Sequence, residues 1–228
     1  MTRHIPPSRT PRGRQAALWL VAILLACVPL SAPSYSATMT DSYFRSREIR
    51  RDGLQPFPKW QQALDRHFKE KAATPGRCQS SRYNQCHARK WQALIDSVGQ
   101  ESPRRQIEKI NAFMNKSAYI VDPINWGVKD YWESPGQFFS RKGDCEDYAI
   151  AKYLTLRRLG YAADTMRIVV LQDHNLRIAH AILVVVLDGK TLVLDNQIRR
   201  VVEASRIRHY QPIYSVNEQN WWMHIPVR

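Results

Sequence analysis

Residues 143–149 read Gly143-Asp144-Cys145-Glu146-Asp147-Tyr148-Ala149. This stretch leads into an apolar pattern with helical spacing that stops at Gly160, which predicts a helix with Cys145 at or next to its N-terminus. Free N–H groups and the helix dipole at that end favour a thiolate, so this position lowers the pKa of a cysteine. Free cysteines are also among the most buried residue types, and Cys145 could instead be a small core residue.

A β-hairpin downstream carries a histidine and an aspartate. Asp188-Gly189 separates two apolar, β-branched runs, which is typical of a two-residue type I′ turn. In the register that this turn sets, His180 and Asp195 share one face of the hairpin and are diagonal neighbours. The carboxylate can then orient the imidazole, although a structural histidine and an unrelated aspartate would fit the same pattern.

The three residues together suggest thiol catalysis. A cysteine at a helix N-terminus would be the nucleophile, a histidine on a strand the base, and an aspartate on the next strand the group that orients the base. The sequence therefore predicts a catalytic triad of Cys145, His180 and Asp195.

The same residues carry a family resemblance. A cysteine on a helix, a histidine on one strand and an aspartate on the next is the order of transglutaminase-like and papain-like cysteine enzymes. The string 143–149, with His180-Ala181 and Leu194-Asp195-Asn196, resembles the bacterial transglutaminase-like cysteine peptidases, and among them the periplasmic proteases that release large surface adhesins. The similarity runs from about Pro58 to the C-terminus and includes Asp130-Tyr131-Trp132.

This resemblance implies a periplasmic cysteine endopeptidase that cleaves the N-terminal region of a large, acidic surface adhesin and so frees the cell from a biofilm. It also implies control by an inner-membrane receptor that sequesters the protease in response to cyclic di-GMP.

Two other functions are compatible with the residues. The triad could pass an acyl group to an amine, as in a transglutaminase or amidase, or the fold could serve as a binding module without catalysis.

Three carboxylates, on Asp144, Glu146 and Asp147, surround the cysteine. Their simplest role is to complement the positive end of the helix dipole. Negative charges beside a thiol oppose formation of the thiolate, however, unless a cation such as Ca²⁺ neutralises them. The resemblance implies calcium dependence, with Asp144 and Glu146 as ligands and Asp147 as a further one.

The N-terminal segment has the pattern of a secretory signal peptide. Residues 1–14 contain four arginines and no acid, 16–30 are almost wholly apolar, and small residues follow to Ala37. The apolar run is too short to span a membrane comfortably. We therefore expect a signal peptide over 1–37, a single domain over 38–228 without a transmembrane segment, and a periplasmic location. Lipidation of Cys27 is the alternative.

Export places the remaining cysteines in an oxidising compartment. Cys78 and Cys86 bracket a short polar loop that a disulfide could close. A zinc site that also uses His87 is the alternative, although the spacing differs from that of the usual zinc knuckles. A disulfide between Cys78 and Cys86 leaves Cys145 as the unpaired thiol.

Periodicity predicts helices before the cysteine motif. One begins at Pro58 with Trp60, Leu64 and Phe68 on its core face, one runs from about His87 to Val98, and one begins at Ser102-Pro103. Residues 38–57 are polar and basic and are expected to wrap the surface. Residues 118–139, rich in aromatic residues, prolines and glycines, are expected to be a loop region in which Trp126, Tyr131 and Trp132 could line a substrate groove or pack in the core.

Strands are predicted after the cysteine helix, at 166–171 and in the hairpin, with further strands at 201–202 and 210–216. The fold class is therefore α+β of the papain/transglutaminase-like type, in which N-terminal helices precede an antiparallel β-sheet and the cysteine helix packs on that sheet.

The chain is strongly basic, with a formal net charge of +14. Export and the lack of alternating basic and aromatic residues argue against nucleic acid as a partner. After removal of the four arginines in the signal segment, about +10 remains, which would attract acidic protein partners over long range. A merely solvated basic surface is the alternative.

Overall fold

A computed structural model describes residues 1–2, 43–71 and 74–227. The helices are α1 (Pro58–Lys69), α2 (Gln85–Val98), α3 (Pro103–Met114), α4 (Asp122–Asn125), α5 (Pro135–Arg141) and α6 (Cys145–Arg158). The strands are β1 (Ser46–Asp52), β2 (Met166–Asp173), β3 (Ile178–Leu187), β4 (Lys190–Leu194), β5 (Val202–Glu203), β6 (Tyr210–Val216) and β7 (Asn220–Pro226). Short 3₁₀ turns cover Ala163–Thr165 and Ala204–Arg206.

The seven strands form one sheet in the order β1-β7-β6-β2-β3-β4-β5, and all neighbouring pairs are antiparallel. Helix α6 packs against β2 and β3, and Ile150, Tyr153 and Leu154 of this helix are buried in the main core. The predicted α+β class, with the cysteine helix on an antiparallel sheet, is confirmed. This packing fixes the N-terminus of α6 relative to β3.

The hairpin of β3 and β4 has the predicted register. Leu187 pairs with Lys190, and Asp188 and Gly189 both have positive φ angles of 51° and 72°, as a type I′ turn requires. Alternate residues of the hairpin separate into two apolar clusters. Leu183 belongs to the cluster that also contains the helices, whereas Val184 belongs to a second cluster with Tyr43 and Phe44.

The helices at 58–69, 85–98 and 103–114 are present as predicted, but Phe68 is not a core residue. Its side chain is 71% exposed, whereas the neighbouring His67 is the residue of this turn that contacts Trp91 of the core. The expected strands at 166–171 and 210–216 are also present, and the expected strand at 201–202 is the two-residue β5.

Two segments differ from expectation. Residues 46–52, expected to wrap the surface, form the edge strand β1, which pairs along its whole length with β7. Helix α5 lies inside the predicted loop region, where Ser134 and Gln137 form a capping box and Pro135 occupies the first helical turn. Pro135-Gly136 is typical of a loop, but proline is also favourable in the first turn of a helix.

The chain divides into two units, Met1–Ala32 and Pro33–Arg228, and only Met1 and Thr2 of the first are described. Apart from Met1 and Thr2, the predicted signal peptide lies outside the described residues, and so does the alternative lipidation site at Cys27. Within the ranges given above, none of the helices combines the length and the apolar character needed to cross a membrane.

Candidate active site

Helix α6 begins at Cys145, as the sequence predicts, with Asp144 as its N-cap residue. The turn before it requires glycine at position 143, because a Cβ there would collide with the carboxylate of Asp147. That carboxylate accepts the backbone N–H of Asp144 at 3.0 Å and the backbone N–H of Glu133 at 2.7 Å. Asp147 therefore holds the backbone that presents the cysteine. Its thiol is partly exposed and forms no disulfide.

The hairpin brings His180 and Asp195 together. Nε2 of His180 lies 2.9 Å from Oδ1 of Asp195, and both side chains are almost completely buried. The hydrogen bond is the contact that the predicted register allows. Because Nε2 is used by the carboxylate, Nδ1 is the ring nitrogen that can exchange a proton with another group.

The Asp195 carboxylate accepts three hydrogen bonds. Besides His180, the backbone N–H of Gln197 donates to Oδ1 at 2.8 Å and the hydroxyl of Tyr210 donates to Oδ2 at 2.5 Å. Burial by itself would raise the pKa of Asp195, but these donors outweigh it and hold the pKa below its ordinary value. The aspartate is therefore kept ionised. Sequence reasoning did not find Tyr210, because β6 reaches the hairpin only through the folded sheet.

The surroundings of the thiol oppose its ionisation. Its Sγ donates to Oε2 of Glu146 at 3.2 Å. Burial and the carboxylates of Glu146 and Asp144 raise the pKa of Cys145 above its ordinary value, whereas the backbone N–H of Ala181 acts in the opposite direction. The sequence predicted that the helix N-terminus lowers the pKa of Cys145. The protein alone shifts this pKa in the opposite direction, because the two nearby carboxylates outweigh the effect of the helix dipole.

Carboxylates from three parts of the chain meet beside Cys145. Oxygens of Asp122, Asp130 and Glu146 lie within 4.8 Å of one another, and so do oxygens of Asp122, Asp144 and Asp147. Asp122, from α4, and Asp130 were not among the ligands expected from the sequence. They are far from the cysteine along the chain and come close because residue 119 bridges to Gly143.

The donors of this cluster fit a hard divalent cation. Asp122 Oδ1, Asp144 Oδ1 and Glu133 Oε2 are buried and have no hydrogen-bond partner. Burial raises the pKa of Asp122 to about 6, and the pKa of Glu146 is raised by burial and by the charge of Asp144. Buried oxygen atoms of this kind are ligands that Ca²⁺ accepts.

The expected ligands are not equivalent in this arrangement. Asp144 has the unpartnered buried oxygen described above. Glu146 belongs to the cluster with Asp122 and Asp130 and also to a further one with Asp144 and the thiol of Cys145. Both oxygens of Asp147 already accept backbone N–H groups. Asp130 forms an ion pair with Lys59. Asp144, Glu146 and Asp122 are therefore the residues best placed to hold the ion.

Aromatic residues form a wall next to the carboxylates. The indole N–H of Trp126 donates to Glu133 Oε1 at 2.6 Å, and the rings of Trp126 and Tyr131 lie 4.4 Å apart. Trp132, in contrast, is buried in the main core. Of the three aromatic residues considered for a groove, Trp132 is thus a packing residue, and Trp126 and Tyr131 remain partly exposed.

Cys78 and Cys86 form a disulfide with a Cα–Cα distance of 5.3 Å. The alternative zinc site has no support from His87, since its Nε2 lies 2.9 Å from the backbone carbonyl of Cys78 and the ring is buried. The loop closed by the disulfide leads into α2, away from the cysteine of α6.

The comparisons with known proteins identify the family and support the fold. The family profile of the bacterial transglutaminase-like cysteine proteinases matches residues 75–228. The structure of Legionella pneumophila LapG is similar to this chain with 31% sequence identity and a TM-score of 0.57, over 73% of this chain and 86% of that one. A calcium-bound structure of the same Legionella protein matches equally well. Its EGTA-treated structure has the same identity and TM-score, with 83% of that chain covered. Among curated proteins, no match is found.

Proposed function

Because this chain belongs to the bacterial transglutaminase-like cysteine proteinases and is accordingly a cysteine protease, we propose that Cys145, His180 and Asp195 are its catalytic triad. The observation that carries this proposal is the 2.9 Å hydrogen bond between His180 and Asp195. It lies beside Ala181, whose backbone N–H acts to lower the pKa of Cys145. The nucleophile, the base and the orienting carboxylate therefore come from the two elements, α6 and the hairpin, that the core holds together.

In the proposed mechanism each of these residues has a separate role. His180 takes the thiol proton through Nδ1, and Cys145 Sγ attacks the carbonyl carbon of the peptide bond. His180 then gives the proton to the leaving amine, which leaves an acyl-enzyme that water hydrolyses with His180 as the base. Asp195 stays ionised and fixes the tautomer and orientation of the imidazole. The backbone N–H of Cys145, at the free end of α6, is a suitable donor to the developing oxyanion.

We further propose that the protease depends on calcium. Asp144, Glu146 and Asp122 would hold the ion, and a bound Ca²⁺ would supply the positive charge that offsets the carboxylates beside the thiol. The buried, unpartnered oxygens of Asp122 and Asp144 support this proposal, and so does the existence of calcium-bound and EGTA-treated structures of the similar Legionella protein.

The biological role that we propose follows from the resemblance to adhesin-releasing proteases. The protein would act in the periplasm, cleave the N-terminal region of a large acidic surface adhesin and so disperse a biofilm. An inner-membrane receptor that responds to cyclic di-GMP would sequester it. The basic character of the chain, with a formal net charge of +14, supports an acidic protein substrate.

A digest tests the proposed activity. Purified protein is incubated with the N-terminal fragment of an adhesin encoded in the same genome, with Cys145→Ala as the matched control. Mass spectrometry should find one new carboxyl terminus and one new amino terminus with the active protein and neither with the control. Incorporation of a labelled amine in place of a free carboxyl end would show acyl transfer instead. A folded protein whose Cys145 does not react with iodoacetamide and which cleaves nothing would show a binding module.

A further inference from the structure

A basic groove lies beside the catalytic hairpin. Its cavity volume is about 740 Å³. The groove is formed by the exposed side of α3, the residues that follow this helix and the segment between β4 and β5. The residues that line it are Arg104, Glu108, Ala112, Asn115, Lys116, Arg199, Arg200 and Val201.

The cations of this groove outnumber its acids. Its carboxylate, Glu108, is shared between Arg104 at 2.8 Å and Arg105 at 3.2 Å. Lys116, Arg199 and Arg200 are exposed, and none of the three forms an ion pair with a carboxylate in the part of the chain that the structure covers. A concave surface with unpaired charges of one sign concentrates the electrostatic potential and attracts ligands of the opposite sign.

The groove adjoins the backbone of Asp195. Asn115, in its wall, donates from Nδ2 to the backbone carbonyl of Asp195 at 2.7 Å. The segment that begins with Lys116 leads to Tyr119, which bridges to Gly143, two residues before the nucleophile. A polypeptide lying in the groove would therefore pass close to the backbone of Asp195.

We propose that this groove is a substrate subsite that binds an acidic segment of the polypeptide to one side of the cleaved bond. This inference rests on the proposed proteolytic function and adds that the substrate carries an acidic segment close to the cleaved bond. Lys116 follows α3, whereas Arg199 and Arg200 belong to the segment between β4 and β5, so an acidic chain in the groove would meet cations from two segments. Arginine is well suited to this role, since its planar guanidinium forms paired hydrogen bonds with a carboxylate.

A binding experiment tests the groove without cleavage. Fluorescein-labelled decaglutamate is titrated into Cys145→Ala protein, and binding is followed by fluorescence anisotropy. Arg199→Glu/Arg200→Glu in the same background should weaken binding by at least about tenfold, because two attractive contacts become repulsive. The control, Arg47→Glu/Arg51→Glu, changes the net charge equally on exposed positions of β1, at the opposite edge of the sheet. It should change binding by less than about twofold.

A cleavage experiment tests whether the groove serves the active site. Two versions of a cleaved adhesin fragment are compared, one natural and one with the acidic residues near the cleavage site replaced by Gln and Asn. In otherwise unaltered protein, Arg199→Glu/Arg200→Glu should raise KM for the natural fragment, leave kcat unchanged and leave the neutral fragment unaffected.

Several outcomes would overturn the inference. Equal losses in the two charge-reversed proteins would show an effect of net charge only. If decaglutamate does not bind, the groove is not a site for acidic peptide. If only a phosphorylated peptide or an oligonucleotide displaces it, the ligand of the groove contains phosphate. If the unaltered protein cleaves no polypeptide, the proposed function fails, whereas the titration with Cys145→Ala still decides whether the groove binds acidic peptide.

Discussion

Tyr210 donates its hydroxyl to Oδ2 of Asp195 at 2.5 Å, on the opposite side of the carboxylate from the oxygen that His180 contacts. Tyr210 thus orients the carboxylate of Asp195, which in turn orients the imidazole of His180. Its loss would leave the Asp195–His180 hydrogen bond in place but would remove a donor to a buried charge.

We expect Tyr210→Phe to destabilise the protein by about 1.5–3 kcal/mol, the range for hydrogen bonds to charged groups. The pKa of Asp195 should rise, because one of the donors that lower it is gone. Because the pKa of Asp195 is lower in the folded protein, its ionised carboxylate stabilises the fold at pH values above the ordinary pKa of an aspartate. This stabilisation is lost as the pH falls through the folded-state pKa. The acidic limb of the kcat/KM profile should therefore move to higher pH. Tyr214→Phe, on the same strand, should leave that limb unmoved.

The triad should act as a unit. Cys145→Ala and His180→Ala should each abolish cleavage, and Asp195→Asn should reduce kcat by about 10³–10⁴-fold, since a misoriented imidazole still leaves the nucleophile present. The Cys145→Ala/His180→Ala protein should be no less active than either single variant. Single-turnover assays with circular dichroism as a check of folding measure both effects. Normal adhesin processing by folded Cys145→Ala protein would contradict the assignment.

Calcium should increase the reactivity of the thiol as well as cleavage. In EGTA, the carboxylates of Asp144 and Glu146 oppose ionisation of Cys145, so its alkylation by iodoacetamide at fixed pH should slow, and added Ca²⁺ should restore the rate. Mg²⁺ should restore it less, because it requires a tighter octahedral site.

Asp122→Asn should weaken the calcium response in that assay, since it removes the charge of a buried candidate ligand. Asp65→Asn, an exposed carboxylate on α1, is the matched control and should respond to Ca²⁺ as the unaltered protein does. A rate of alkylation that is the same in EGTA and in Ca²⁺ would contradict the proposed role of the ion.

Lys152 on α6 should be a source of instability. Its Nζ is buried without a hydrogen-bond partner, and burial lowers the pKa of this lysine to about 7, with Asp195 acting in the opposite direction. In an unfolded chain the pKa of a lysine is near 10. At pH values between these two pKa values the unfolded state binds more protons than the folded state, so the free energy of unfolding rises with pH. Lys152→Met should remove this slope and stabilise the protein by on the order of 2–4 kcal/mol at pH 7.

Urea unfolding at pH 6 to 9 measures the effect of Lys152→Met. The difference between the two proteins should shrink as pH rises through this range. Replacement of an exposed lysine, Lys190→Met, should give no such trend. Cleavage by Lys152→Met should stay within about threefold of the unaltered rate, because Asp195 keeps all three of its hydrogen-bond donors.

The disulfide should contribute modestly to stability. It closes a short loop, so Cys78→Ser/Cys86→Ser should lower the free energy of unfolding by at most about 2–3 kcal/mol. The variant should remain folded and active, since the main core does not include the loop. Thiol mapping of the unaltered protein should find Cys145 alkylated without prior reduction. A native disulfide that involves Cys145 would contradict this prediction and the mechanism together.

The central part of the fold was predictable because its signals are local. Asp188-Gly189 sets the register of the hairpin through turn chemistry, and this register alone places His180 near Asp195. The glycine before Cys145 and the helical spacing after it likewise locate the start of α6. Each of these inferences needs only residues that are close along the chain.

Other features depend on contacts between distant segments. β1 contains a single strongly apolar residue, Ile49, and becomes a strand only because β7 offers an open edge. Asp122 joins the carboxylate cluster through the bridge between Tyr119 and Gly143. Tyr210 reaches Asp195 across the folded sheet. No pattern within these segments indicates where their partners lie.

The pairing of β1 with β7 also sets the order in which the protein can be completed. Ser46 lies opposite Pro226, so the first strand of the sheet has no partner until all the others have been synthesised. The β3–β4 hairpin closes a loop of two residues and can form early, whereas joining β1 to β7 closes a loop that contains nearly the whole domain and carries the largest entropy cost. The hairpin that carries His180 and Asp195 should therefore be structured while one edge of the sheet is still open. A chaperone that binds the incomplete fold would find its exposed backbone N–H and C=O groups at this edge.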